Sequence, residues 1–229
     1  MEYPHNRPYT ADDLVRIITL LRDPVNGCPW DKVQTHTSIR MNFLEEAYEA
    51  VDALDLDDPV LMCEELGDVL MQVAFHTCME QETGRFTWEQ VCDGVCQKLI
   101  ERHPNIFGTQ PGYEGITDWD ALKNKEKGRR TLADDLESVP RAMPALMRAA
   151  KLQKRAARHG AALQGADAAA LADAAENLQT AQPASAQAEQ AVGELLFAAA
   201  NLARQAGVDP EQALQKANEA FCTAAGPGA

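Results

Sequence analysis

The stretch PVLMCEELGDVLMQVAFHTCMEQE at 59–82 constrains the fold more than any other part of the chain. At 100° per residue, Leu66, Val69, Leu70, Met71, Val73, Ala74, Phe75 and Met79 cover nearly the whole circumference of a helix. That distribution predicts a helix buried among others in a bundle. The same helix carries Glu65, Asp68, Gln72 and His76 in a narrow stripe at i, i+3, i+7 and i+11, so two carboxylates project together where little surface is left for water. Taking an ionised carboxylate out of water costs several kcal/mol unless it is paired or holds a metal.

Apolar residues recur at three- and four-residue spacing through most of the rest of the chain, and β-branched runs are short, so the fold class is all-α, a helical bundle. Helices are expected near 10–23, 37–56, 59–82, 87–102, 118–128, 142–159, 167–181, 186–206 and 210–222. Pro59, Thr87 and Pro210 stand where helix starts would put them. Between His103 and Pro140, glycines and prolines surround the charged run DWDALKNKEKGRR, which reads as a connector carrying one short helix. A first domain at 1–130, with the connector from about 104, is thereby divided from a second at 131–229.

The second part repeats the first. ELGDVLMQVAFH at 65–76 aligns with AVGELLFAAANL at 191–202, and WEQVCDGVCQKL at 88–99 aligns less closely with PEQALQKANEAF at 210–221. The copies differ in chemistry, because Ala191 stands opposite Glu65, Glu194 opposite Asp68 and Ala220 opposite Lys98. LEEAYEAVD at 44–52 has only a vague counterpart, AAENLQTAQ at 174–182. The second unit is a degenerate copy.

Charge narrows the partners. Lys and Arg total 21 against 35 Asp and Glu, a formal −14, which argues against nonspecific binding of a nucleic acid polymer or an anionic membrane. The N-terminal MEYPHNRPYTADDL lacks the basic stretch and apolar run of a secretory signal, so a cytoplasmic location is expected. The six cysteines are scattered without a CxxC pair, and Cys92, Cys96 and His103 lack a fourth ligand at zinc spacing.

On the helix containing NFLEEAYEAVDAL, Leu44, Ala47, Tyr48, Val51 and Leu54 form an apolar stripe, with Glu45, Glu46, Glu49 and Asp52 opposite. Alone, that acidic side reads as a solvated face. Next to the acids of 65–68 it reads differently. No Lys or Arg occurs from Met41 to Glu82, so the economical arrangement turns both acid sets toward each other across an antiparallel helix pair, with divalent cations between them. All-oxygen ligation favours Mg²⁺ or Mn²⁺. A di-iron bundle is disfavoured because no Glu of the predicted helices is followed three residues later by His.

The pattern E-E-x-x-E, here Glu45-Glu46-Ala47-Tyr48-Glu49, followed by Glu65-Leu66-Gly67-Asp68, resembles the all-α NTP pyrophosphohydrolase superfamily. GCPWDKVQTHTSIRMNFLEEAYEAVDAL, EELGDVLMQVAFH and GRFTWEQVCDGVCQKLIERHPNIFG are similar to the first repeat of MazG proteins, and ELLFAAANLARQAGVDPEQALQKANEAF to their second. The resemblance covers essentially the whole chain. It implies hydrolysis of a nucleoside triphosphate at the α-phosphorus in nucleotide-pool house-cleaning. Glu46, Glu49, Glu65 and Asp68 would be ligands of Mg²⁺, with Mn²⁺ as substitute, and Glu45 would orient or deprotonate water. Lys98 and Arg102 match basic positions used for phosphate oxygens and otherwise read as surface helix charge. Trp119 and Lys123 resemble a segment that closes over the nucleotide, where the indole either stacks on the base or anchors the connector.

Trp30 is expected as a structural plug and His76 as a satisfied core histidine. In this family the second unit is commonly competent, whereas here only the first has the acids; the second is expected to support it or a homodimer. A narrower dUTP, dCTP or phosphoribosyl-ATP pyrophosphohydrolase shares the acid motif, and a noncatalytic helical interaction module is the reading from another class.

Overall fold

A computed structural model of the chain describes residues 3–5, 7–108, 122, 124 and 126–226, and among them every regular element is helical. The chain divides into two compact units, Met1–Ile116 and Thr117–Ala229.

The first unit contains α1 (Ala11–Leu21), a short 3₁₀ turn (Asp31–Val33), α2 (Arg40–Asp55), α3 (Pro59–Glu82) and α4 (Trp88–Arg102). Local chemistry sets the starts of these helices. Thr10 and Asp13 form a reciprocal capping box on α1, Thr87 and Gln90 do the same on α4, and Asp58 caps α3 ahead of Pro59. The link from α2 to α3 is only Leu56–Asp58, with Asp57 at φ 53°, which forces an antiparallel hairpin. α1 and α4 both pack on α3.

The core gathers Ile18 of α1, Ile39, Ala74, Phe75, Cys78 and Met79 of α3, and Trp88 of α4. All its α3 members come from the C-terminal half of that helix. The N-terminal half is not enclosed as its composition predicts: Leu66 is 50% and Leu70 39% exposed. The reason is geometric, since the core residues of α1 and α4 meet α3 only from residue 71 onward. The apolar stripe expected to bury α2 is also displaced. Tyr48, Val51 and Leu54 are about half exposed, and Ala50 and Ala53 are the buried residues. Two alanines one turn apart let α2 approach α3 closely with the side that carries Glu46.

After α1 the chain folds back through GCPWD. Gly27 permits this turn, since a Cβ there would lie 2.4 Å from the carbonyl oxygens of Leu21 and Asp23. The buried Arg22 ties the loop to α3, donating to both carboxylate oxygens of Glu82 at 2.6 and 2.9 Å and to the carbonyls of Asp31 and Gln34 at 2.8 and 3.2 Å. Trp30 is 57% exposed, so it is not a plug; Arg22 and the close turn at Gly27 hold the loop instead.

The second unit contains α5 (Leu132–Glu137), α6 (Ala145–Arg158), α7 (Ala168–Thr180), α8 (Ala186–Gln205) and α9 (Pro210–Ala225). Its packing follows the scheme of the first: α7 pairs with α8, and α6 and α9 lie on α8. On the α7–α8 pair the buried apolar residues are small, with Ala174, Ala191, Ala198 and Ala200 bringing helix backbones together. Two buried amides lock the alanine-rich core: Gln153 donates to the Phe197 carbonyl at 2.7 Å and Asn201 to the Ala166 carbonyl at 2.6 Å.

The connector holds a helix outside the expected set. α5 is capped by Thr131, with Asp134 completing the box, and the signal was present as Thr131-Leu-Ala-Asp134. The fully buried Asp135 of α5 pairs with Arg155 of α6 at 3.0 Å and with His159 at 3.2 Å. Of the helix expected at 118–128, only Leu122, Asn124 and Glu126 fall among the described helical residues.

Ile18 is 1% exposed at the centre of the first core. Ile18→Ala should destabilise the first unit by about 2–5 kcal/mol, read as a lower urea midpoint with an unchanged slope.

Candidate metal centre on the α2–α3 hairpin

One helical turn separates Glu46 from Glu49 on α2, and Glu65 from Asp68 on α3, so each helix presents its two acids on one side. The hairpin turns these sides together. One carboxylate oxygen each from Glu46, Glu49 and Glu65 lies within 4.8 Å of the other two. Asp68 lies outside this trio but is near enough for its charge to raise the pKa of both Glu46 and Glu65. Glu45 is exposed on α2 and does not join the group.

The electrostatics are one-signed. Burial pushes the Glu46 carboxyl up; a hydrogen bond from Gln72 opposes this, while Glu49 and Asp68 push it further up. Desolvation also raises Glu65, followed by repulsion from Asp68, Glu64 and Glu46. Among the described residues, no Lys or Arg pairs with any of these acids.

Gln72 stands behind them, 6% exposed, donating to Glu46 Oε1 at 3.3 Å. Its own Oε1 has no hydrogen-bond partner among the described residues. Three converging carboxylates and an unpaired buried carbonyl oxygen, with no neutralising side chain among the described residues, form an all-oxygen donor set, which fits a hard divalent cation. The stripe on α3 makes Gln72 visible in the sequence, but its hydrogen bond to Glu46 depends on α2.

The same stripe continues inward as a second polar chain. His36 and His76 meet through their Nδ1 atoms at 2.7 Å, with rings stacked at 5.0 Å. His36 Nε2 lies 2.6 Å from Glu80, which Arg85 also contacts at 2.6 Å. His76 packs its other side edge-on against Phe43. It is thus a half-buried, hydrogen-bonded histidine, as expected of a core position. Burial lowers its pKa, and the neighbouring His36 lowers it further.

Lys98 is exposed on α4, with the half-buried Arg102 one turn further along. No ion pair among the described residues joins Lys98 to the acid group. Trp119 and Lys123 lie outside the described residues.

Fold and site together define an all-α protein whose first unit presents an acid-rich, oxygen-only centre on a helical hairpin. Residues 34–107, which include that hairpin, match the model of the MazG nucleotide pyrophosphohydrolase domain. The chain is 41% identical over 219 residues to a nucleoside triphosphate pyrophosphohydrolase of Escherichia coli (strain K12), covering 92% of this chain and 83% of that one. It is 39% identical over 212 residues to the nucleoside triphosphate pyrophosphohydrolase/pyrophosphatase MazG of Thermotoga maritima, covering 92% and 82%. A nucleoside triphosphate pyrophosphohydrolase of Mycobacterium tuberculosis is 34% identical over 154 residues, 66% of this chain and 46% of that one. The chain belongs to the MazG family.

His76 supplies a pH test. Its ordinary value is 6.5 and its native value is lower, so as pH falls below 6.5 the unfolded chain takes up a proton that the native chain resists. Stability from this group is therefore full above pH 6.5 and is lost on acidification. The groups facing it are His36, and Glu80 through His36. Thermal unfolding between pH 7.5 and 5.5 should show a steeper loss in the parent than in His76→Gln.

Proposed function

We propose that the chain is a nucleoside triphosphate pyrophosphohydrolase, converting a nucleoside triphosphate and water to the monophosphate and diphosphate at the α2–α3 hairpin. The observation that carries this reading is the approach of Glu46, Glu49 and Glu65 with no neutralising side chain among the described residues, in a chain whose relatives bear that activity in their names.

Glu46, Glu49, Glu65 and Asp68 would hold Mg²⁺, with Mn²⁺ as substitute. When bound, such a cation supplies charge neutralisation for the triphosphate and makes water more acidic. Water attacks the α-phosphorus, the bond to the bridging oxygen breaks, and diphosphate leaves. Glu45, exposed beside the acid group, takes the proton or orients the water. Gln72 fixes the Glu46 carboxylate, so one ligand oxygen is already oriented. Lys98 and Arg102 contact phosphate oxygens, the guanidinium suiting a two-pronged contact. Trp119 and Lys123 belong to the segment that covers the nucleotide. The catalytic domain is 1–130, and a second domain, 131–229, is a degenerate repeat. Its helices share the packing order of the first, which supports descent from one duplicated unit.

No described helix is long and apolar enough to cross a membrane, which suits an enzyme acting on nucleotides in the cytoplasm. Pyrophosphate release from a panel of nucleoside triphosphates with Mg²⁺ tests the activity. Glu49→Gln and Asp68→Asn should each lower kcat by about 100-fold or more while leaving the fold intact. Absence of diphosphate release from every nucleotide would leave the noncatalytic module.

The homodimer has its own support. Tyr48, Val51 and Leu54 on α2, with Leu66 and Leu70 on α3, are large apolar residues left open, and a second copy would cover them. Light scattering should find a dimer, and Val51→Asp/Leu54→Asp should convert it to monomers.

A further inference from the structure

The second unit has lost the acids of the first and carries a different charged site. Between Glu137 and Asp167 the sequence holds Arg141, Arg148, Lys151, Lys154, Arg155 and Arg158 and no acid at all, within a chain of formal charge −14. Arg155 is committed to Asp135. Lys151 and Lys154, about one turn apart on α6, line a recess of about 510 Å³ bounded by Arg204 of α8 and the turn leading into α9.

This recess is built rather than incidental. Arg204 is held by two hydrogen bonds, from Nε and Nη2 to Asn201 Oδ1 at 3.0 and 2.8 Å. Asn201 is itself 2% exposed and anchored to the Ala166 carbonyl. Two of the five guanidinium donors are thus used for positioning, and the others remain for a ligand. The one acid in the lining, Asp209, is occupied in capping α9, accepting from the backbone N–H groups of Glu211 and Gln212 at 2.9 and 3.1 Å. Met143, Met147 and Val208 supply apolar walls.

The first unit has a recess in the corresponding place, where its first helix faces the turn between its third and fourth. There the charged lining is Asp12, Arg16 and Glu89. The same packing scheme therefore makes a mixed, net-acidic recess in one unit and a cationic one in the other.

We propose that the second unit binds a small polyphosphate at Lys151, Lys154 and Arg204 without a metal ion. Three cations against one committed acid suit a group with two or more negative charges, and the guanidinium fork suits phosphate oxygens. The volume is in the range of small-ligand sites, roughly 300–1,000 Å³. The ligand is either inorganic diphosphate or the phosphate tail of a nucleotide, whose nucleoside would lie against the methionines, which adapt readily to flat or irregular surfaces. The site stands apart from the acid hairpin and does not depend on its activity.

Calorimetric titration of the full chain, in buffer freed of metal over chelating resin, tests this with two probes: inorganic diphosphate and a nucleoside triphosphate carrying a methylene bridge between the α- and β-phosphorus. One saturable site per chain is expected, weakening as salt rises. Lys151→Gln/Lys154→Gln should weaken binding at least tenfold, and Lys154→Gln alone, at an exposed position that keeps the fold, severalfold. Glu49→Gln should leave it unchanged. Equal affinity for both probes would assign the site to diphosphate, and tenfold tighter binding of the nucleotide would assign it to nucleotides. No saturable binding of either probe, or binding that survives both lysine variants, would overturn the proposal.

Discussion

The close approach of α2 to α3 is the constraint on which the rest depends. Ala50 and Ala53 form the buried seam, so the side of α2 carrying Glu46 is brought against a helix that carries acids of its own. Like charges placed this way resist the packing that assembles them. The raised pKa values of Glu46 and Glu65 express that conflict, since both desolvation and neighbouring carboxylates favour the neutral form. A bound cation reverses the sign of the interaction and makes the hairpin and the site mutually stabilising.

The anchoring of this hairpin lies at its far end. The C-terminal half of α3 is gripped by Ile18, Trp88 and the Arg22–Glu82 pair, and the polar stripe runs through Gln72 and His76 to Glu80 within that gripped half. The open half carries the acids and the exposed leucines. Burial and exposure are thereby divided along one helix: the buried end fixes orientation, and the other end leaves Leu66 and Leu70 exposed.

The two units show how one packing scheme holds different chemistry. Each contains a helix pair, α2 with α3 and α7 with α8, and lays two more helices on the later member, α1 and α4 on α3 and α6 and α9 on α8. In the first unit the helix pair presents carboxylates; in the second, Ala174, Ala191, Ala198 and Ala200 are buried on the pair. Positive charge has instead collected on α6, whose side chains face the turn into α9.

Periodicity, caps and the acid spacings determined the helical class, nearly every helix and the one-turn spacing of Glu46 from Glu49 and of Glu65 from Asp68, because each rests on contacts within a few residues of chain. α5 was equally local, announced by Thr131 and Asp134, but its single turn and a half is too short to show a period. Tertiary structure alone decided which side of α2 is covered, how much of α3 is enclosed, and that Trp30 stays open while Arg22 and Gly27 secure its loop. A periodic pattern assigns residues to sides of a helix, but burial depends on where the neighbouring helices end, and that follows from distances between segments far apart in the sequence. The recess at Lys151, Lys154 and Arg204 arises in the same way, from residues of two helices that only folding brings together.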